Sequence, residues 1–232
     1  MASTVTIDGL EFTRYVQSSF KIKGGGLVIW VDPHRVGGKE VGADKADLLF
    51  VTHPHFDHMD PEALAACATG GSVLVTNPTV WQELEEKLAA DVRSKISVVT
   101  LRVGETTEQR GVTIQAVAGY NDFHPKEQGY NTGFLITVAG RRVFHAGDTS
   151  KVPEFGHLGA VDVALYPIGG TYTSDEEDAA GAINELIRPR AVIPMHYGYA
   201  TGGDPEKFKA LLASGVKAHI LEPVLDARLG SA

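Results

Sequence analysis

Thirteen residues, 48–60, reading LLFVTHPHFDHMD, constrain this chain more than any other stretch. The apolar run over 46–52 has the length and the Leu, Phe and Val content of a buried strand. At its end come His53, His55, Asp57 and His58. Asp60-Pro61 follows, a good N-cap with a proline suited to the first helical position. Three imidazoles and a carboxylate are therefore predicted on one tight loop between a rigid strand and a rigid helix. His53 and His55 are two apart, so an extended backbone can point them to the same side. Asp57 and His58 come after the turn and can face a second position. A donor set of imidazole and carboxylate suits zinc first, then iron or manganese. A histidine-rich surface loop is the plainer reading, and four potential ligands directly after an apolar strand weigh against it.

The 232 residues allow one sizeable core, or one domain made of two similar halves. A net charge of −8 with no basic run argues against a nucleic-acid partner, since phosphate contacts need clustered Lys and Arg. The single cysteine, Cys67, excludes an intrachain disulfide, and its Ala-rich surroundings predict a small buried residue. The first residues, MASTVTIDGLEF, show neither a basic n-region nor an apolar h-region, so no secretory signal is expected. No apolar run reaches membrane-spanning length. The expectation is a cytoplasmic protein with no membrane insertion. Nothing in the sequence supports a homo-oligomer or excludes one.

Read in order, TVTI, EFTRYVQ, SFKIK and LVIWVD are predicted strands, with the triple glycine 24–26 as a turn. Asp32-Pro33 ends the last of them and reads as structural; His34 reads as solvated. After the histidine loop a short helix over 61–69 and the strand SVLVT are expected. Asn77-Pro78 then starts a helix whose apolar face is Val80, Trp81, Leu84 and Leu88. KISVVTL, GETTEQ and VTIQAVA are further strands. The segment 119–133 is a polar, aromatic loop holding His124, and a lone loop histidine is usually not a ligand. FLITVAG and RRVFHAG form a hairpin turning at Gly140. Its end supplies Asp148, a strand-end carboxylate whose two oxygens could bridge two cations; alone, it would be read as an Asx turn. His145 reads as structural or as a support for the neighbouring donors. The helix within 171–189 is expected to be capped by Thr173 or Ser174, with the acidic cluster 175–178 in its first turn and Arg188 closing it. AVIPMH is a strand ending in His196, Asp204-Pro205 starts the last helix, and AHILEP is the last strand. His157 and His219 read as surface or structural. The pattern divides into pseudo-halves at about 1–118 and 119–232, each strand-rich first and then alternating strand and helix.

The run T-H-x-H-x-D-H after an apolar strand resembles the signature of the metallo-β-lactamase superfamily. PIGGTYT, then a helix, then VIPMHYG is similar to its small metal-dependent hydrolase branch, related to the L-ascorbate-6-phosphate lactonase and N-acyl-phosphatidylethanolamine phospholipase D types. The resemblance covers essentially the whole chain. It implies a single α/β domain over 1–232, a four-layer αβ/βα sandwich of two mixed sheets packed face to face with helices outside. It implies two divalent metal ions, zinc first, with manganese or iron as alternatives. His53, His55 and His124 would hold one, Asp57, His58 and His196 the other, with Asp148 bridging. The implied chemistry is hydrolysis of a small, anionic ester, lactone or phosphodiester by a hydroxide shared between the metals, which Asp57 would orient as the catalytic residue. A mononuclear iron oxygenase and a nuclease of the same superfamily are the alternatives. Tyr120, Phe123, Lys126, Tyr172, Tyr197 and Tyr199, on loops around the candidate ligands, are the candidates for a substrate pocket.

Overall fold

Four two-residue turns shape the antiparallel parts of the chain. Asp8-Gly9, Gly25-Gly26, Arg110-Gly111 and Ala139-Gly140 all have positive φ at both positions. That is the type I′ geometry whose twist matches a hairpin, and glycine at the second position adopts it without strain. In the computed structural model, which describes residues 2–224, these turns fall in two compact units, 2–101 with 222–224, and 102–221.

The first unit carries a seven-stranded mixed sheet whose spatial order is its chain order. β1 (Thr4–Ile7), β2 (Leu10–Arg14), β3 (Phe20–Gly24) and β4 (Leu27–Val31) pair antiparallel; β5 (Leu48–Phe50), β6 (Val73–Thr76) and β7 (Ser97–Thr100) then add in parallel. The parallel connections contain α1 (Gly38–Val41), α2 (Pro61–Cys67), α3 (Pro78–Lys87) and α4 (Ala90–Arg93). Asp60 and Asn77 cap α2 and α3, accepting from Ala63 N and Val80 N, each followed by proline at the first helical position. One face of the sheet is buried in a cluster that includes Trp30, Leu49, Leu64, Leu74, Val80, Leu84 and Cys67. Each fully buried aliphatic side chain there contributes roughly 1.5–3 kcal/mol.

The second unit repeats the plan. β8 (Thr106–Gln109), β9 (Val112–Ala118), β10 (Thr132–Val138) and β11 (Arg141–His145) pair antiparallel, and β12 (Val163–Pro167), β13 (Ala191–Met195) and β14 (Lys217–Ala218) follow in parallel. Its helices are α5 (Glu176–Gly181), continued by a π-helical stretch Ala182–Ile187, and α6 (Pro205–Ala210). Phe155 packs edge-on between Phe144 of β11 and Tyr166 of β12. The α/β class and the two mixed sheets are as the sequence implies, but the division falls at 101/102 rather than at about 118/119, because β8 and β9 pair into the second sheet with β10.

Several local expectations need correcting. β2 stops at Arg14 rather than running to Gln17, because residues 15–19 turn back on themselves through Tyr15 N to Ser19 O, with Gln17 at a φ of 53°. The cap of α5 is Asp175, which accepts from Asp178 N. Ser174 is instead buried and donates to Asp178 Oδ2, while Thr173 Oγ1 accepts from Gly169 N. His34 is buried against Asp60 at 3.1 Å rather than solvated. The last strand is only Lys217–Ala218: His219 N still donates to Val192 O, and the ladder ends there.

Candidate functional site

In the first unit the donors sit on the loop that leaves β5, the strand flanked in parallel by β4 and β6. Ligand sites of parallel sheets lie beyond such strand ends, where successive loops converge. His53 and His58 are fully buried, Asp57 is half-buried and His55 is exposed. Asp32, at the end of β4 and also fully buried, organises them. It accepts from Thr52 N at 2.8 Å, from Thr52 Oγ1 at 2.7 Å and from His58 Nδ1 at 2.7 Å. Thr52 has one hydroxyl proton and gives it to Asp32, so its oxygen accepts from His53 Nδ1, 3.0 Å away. Proton counting thus assigns the Nδ1–H tautomer to both histidines and presents both Nε2 lone pairs. His53 Nε2 lies 3.2 Å from His55 Nδ1. Two nitrogens on one tetrahedral zinc, at about 2.0–2.1 Å each, would be about 3.3 Å apart. Gln17 Nε2 donates to Asp57 Oδ2 at 3.3 Å, and His58 Nε2 lies 3.8 Å from the same oxygen. The donor set fits a divalent transition metal in type and spacing.

Asp60, next along the chain, is a neighbouring carboxylate with another task. Burial pushes its carboxyl up, but hydrogen bonds from His34, Arg35 N and Ala63 N outweigh this and hold it below its ordinary value. It caps α2 and anchors the β4–α1 loop.

In the second unit, Asp148 lies beyond β11 and His196 directly after β13, both buried. His196 Nε2 is 3.1 Å from Asp148 Oδ2. His196 has a φ of 55°, a left-handed backbone that non-glycine residues hold only when the surroundings impose it. Thr201 Oγ1 donates to its carbonyl at 2.7 Å, and a Cβ on Gly169 would run into that same oxygen. Glycine at 169 is thus required by the close approach. Asp148 is tied through its backbone carbonyl to Asn131 Nδ2, which also donates to Gly119 O at 3.0 Å. His124, buried on the β9–β10 loop, is held by Asn121, whose Oδ1 accepts from His124 N at 2.9 Å and lies 2.9 Å from its Nδ1. His124 therefore also presents Nε2. His145 is buried and accepts from Gly147 N, a structural role.

The same unit contains a pocket of about 660 Å³ lined by Tyr120, Phe123, Lys126, Lys151 and Tyr172, among others. Lys126 pairs with Glu154 at 2.6 Å and stands over the Tyr120 ring. The Glu154 hydrogen bond holds the Lys126 ammonium above its ordinary range. Four of the six aromatic and lysine candidates read from the sequence line this pocket. Tyr197 does not; it is buried, donating to Leu221 O. Tyr199 is exposed elsewhere on its loop.

The family described as Beta-lactamase superfamily domain matches residues 11–196, most of the chain and every candidate donor. The chain belongs to the metallo-β-lactamase superfamily. Among its relatives in that superfamily is a UPF0173 metal-dependent hydrolase of Nitratidesulfovibrio vulgaris, 36% identical over 199 residues, covering 81% of this chain and 80% of the relative. Another, from Pyrobaculum calidifontis, is 31% identical over 228 residues and covers 92% and 97%. A solved metallo hydrolase of the archaeon Ignicoccus hospitalis matches with a TM-score of 0.77 and 28% identity over 92% of this chain and 95% of that one.

For a metallo-β-lactamase superfamily member, the residues that sequence reading passed over are those that aim the donors. Asp32 was legible as a strand-end carboxylate but not as the acceptor of His58. Asn121, three residues before His124, had the spacing of an Asx turn as its only signal. Among the described residues, no helix is long and apolar enough to cross a membrane.

Proposed function

We propose that this metal-dependent hydrolase of the metallo-β-lactamase superfamily works with two divalent cations held by seven side chains. His53, His55 and His124 would hold one, Asp57, His58 and His196 the other, and Asp148 would bridge them. Zinc fits these donors first, with manganese and iron next. The observation that carries the reading is the relay through Asp32 and Thr52, which spends the Nδ1 protons of His53 and His58 inside the protein and leaves both Nε2 atoms as ligands.

When bound, such a pair of cations supplies Lewis acidity and lowers the pKa of a water held between them. The chain's own residues do the rest. Gln17 fixes one oxygen of Asp57, so the other is aimed and can orient a nucleophilic water. The two carboxylates, Asp57 and Asp148, offset half of the four positive charges two such ions bring. The donor set thus leaves net positive charge to oppose charge building on a carbonyl or phosphoryl oxygen. That balance suits hydrolysis of a small ester, lactone or phosphodiester, with its anionic reacting group at the cations.

The test is purification without added metal, elemental analysis, and a panel of chromogenic phosphodiester, lactone and thioester substrates with and without zinc, manganese or iron. His55→Ala and Asp148→Asn are expected to lower bound metal and hydrolysis together. Full activity in metal-free protein would overturn the reading.

A further inference from the structure

We propose that the pocket of the second unit receives an aryl group of the substrate that bears no negative charge, with Phe123 and Tyr172 selecting it. At about 660 Å³ it falls in the range of small-molecule sites. Phe123 and Tyr172 are 52% and 48% exposed, although each is large and apolar enough to be buried in a protein with this much core. Their rings meet edge to face, centroids 5.0 Å apart at 77°. A third ring entering the pocket can stack on one and meet the edge of the other, the two arrangements that the aromatic quadrupole favours.

The two rings are held in advance. Asn121 Nδ2 donates to Tyr172 O at 2.8 Å, and Asn121 Oδ1 accepts from Phe123 N at 2.9 Å. One side chain therefore pins both loops, and a ligand would pay little to order them. Asn121 is also the residue that holds His124. Phe123 and Pro125 line the pocket on either side of that histidine, and Ser150 and Lys151 line it just after Asp148. His124 and Asp148 do not themselves line the pocket, but their chain neighbours do, the placement a leaving-group site needs.

Charge decides what kind of group enters. Lys126 and Lys151 line the pocket, but Lys126 is paired with Glu154 at 2.6 Å and Lys151 with Glu185 at 2.5 Å. Asp122 and Glu127 line it as well. The two lysines are thus already neutralised, and the remaining lining charge is negative. A carboxylate or phosphate placed here would meet repulsion and lose hydration without a cation to repay it. A neutral ring loses nothing of that kind and gains contact with two exposed rings.

The inference rests on the hydrolase reading only in calling the occupant a substrate group; binding itself can be measured apart from hydrolysis. The experiment is a titration of the full-length protein, with and without zinc, with benzyl alcohol and benzoate, followed by amide NMR shifts. Benzyl alcohol is expected to shift residues 121–127 and 170–173 in both forms, and benzoate to bind there at least about tenfold more weakly. Phe123→Ala with Tyr172→Ala is expected to weaken benzyl alcohol about tenfold. Tyr172→Leu, which keeps bulk and loses the ring, gives a smaller loss in the same direction and serves if the double variant misfolds. Benzoate binding there as tightly as benzyl alcohol would overturn the proposal, as would benzyl alcohol shifts confined to other residues. No hydrolysis of any substrate in the panel by metal-loaded protein, with benzyl alcohol shifts as expected, would count against the hydrolytic reading alone.

Discussion

Replacing Asp32 with Asn separates charge from shape at the residue that aims the first-unit donors. Asparagine has nearly the same volume and is tolerated at a left-handed φ such as the 45° found here. It keeps one acceptor, which can still take Thr52 N. Its amide nitrogen replaces the oxygen that accepts from Thr52 Oγ1 and His58 Nδ1, both at 2.7 Å. Hydrogen bonds to a charged acceptor are worth about 1.5–3 kcal/mol each, so two lost bonds remove about 3–6 kcal/mol in gross terms. Relief from burying a carboxylate returns part of this, and a net loss of about 2–4 kcal/mol is expected in urea unfolding. His58 can satisfy the new amide only by accepting at Nδ1, which moves its proton to Nε2, the ligating atom. Zinc affinity is therefore expected to fall roughly 10–100-fold. Chelator competition reads the affinity, nitrogen NMR of the histidine reads the tautomer, and far-ultraviolet circular dichroism checks the fold. A folded Asp32→Asn protein that binds zinc within about twofold of the parent, with the Nδ1–H tautomer retained, would refute the reasoning.

Three further outcomes are expected. Leu84→Ala in α3, at a fully buried position, should cost about 2–5 kcal/mol in urea unfolding; a loss below about 1 kcal/mol would show that the cavity closes. Asp44 accepts hydrogen bonds from Lys21 and Lys23, in that order of effect, which together outweigh burial and hold its carboxyl below its ordinary value of 3.8. Its contribution is therefore complete above that value and lost as pH falls through the lower folded one. Asp44→Asn should be less stable than the parent at about pH 7 and about pH 5, and the gap should narrow as pH falls below the ordinary value; a gap that does not narrow at low pH would contradict this. Burial pushes the Cys67 thiol well above its ordinary range, so the native protein should not react with a thiol reagent at about pH 8, while urea should release one reactive thiol; rapid native labelling would count against a buried Cys67.

What could be read from the sequence was what local chemistry fixes. The histidine loop was legible because its strand, turn and cap are contiguous, and Asn77-Pro78 announced α3 for the same reason. The I′ turns at Gly26 and Gly140 carried their own signal in the glycine. The failures share a cause: a partner far along the chain. His34 looked solvated because Asp60, which buries it, lies 26 residues on. Ser174 looked like a cap because Thr149, whose carbonyl accepts from its N and its hydroxyl, lies 25 residues back. The tautomers of His53 and His58 depend on an aspartate on another strand, and the ion pairs that neutralise Lys126 and Lys151 join residues 28 and 34 positions apart. No pattern within a short window carries those distances.

The shared strand plan sets up correspondences between the sheets. Counting strands from each start, the β2–β3 loop matches the β9–β10 loop, and the end of β4 matches the end of β11. The first pair of positions holds Gln17 and His124, the second Asp32 and Asp148. If the halves descend from one duplicated ancestor, they have since divided the labour. One copy's aspartate turned inward to steer neighbouring imidazoles, while its twin touches His196. Exchanging the equivalent residues, Gln17 for histidine above all, is a direct way to ask how far each copy has become committed to its own trade.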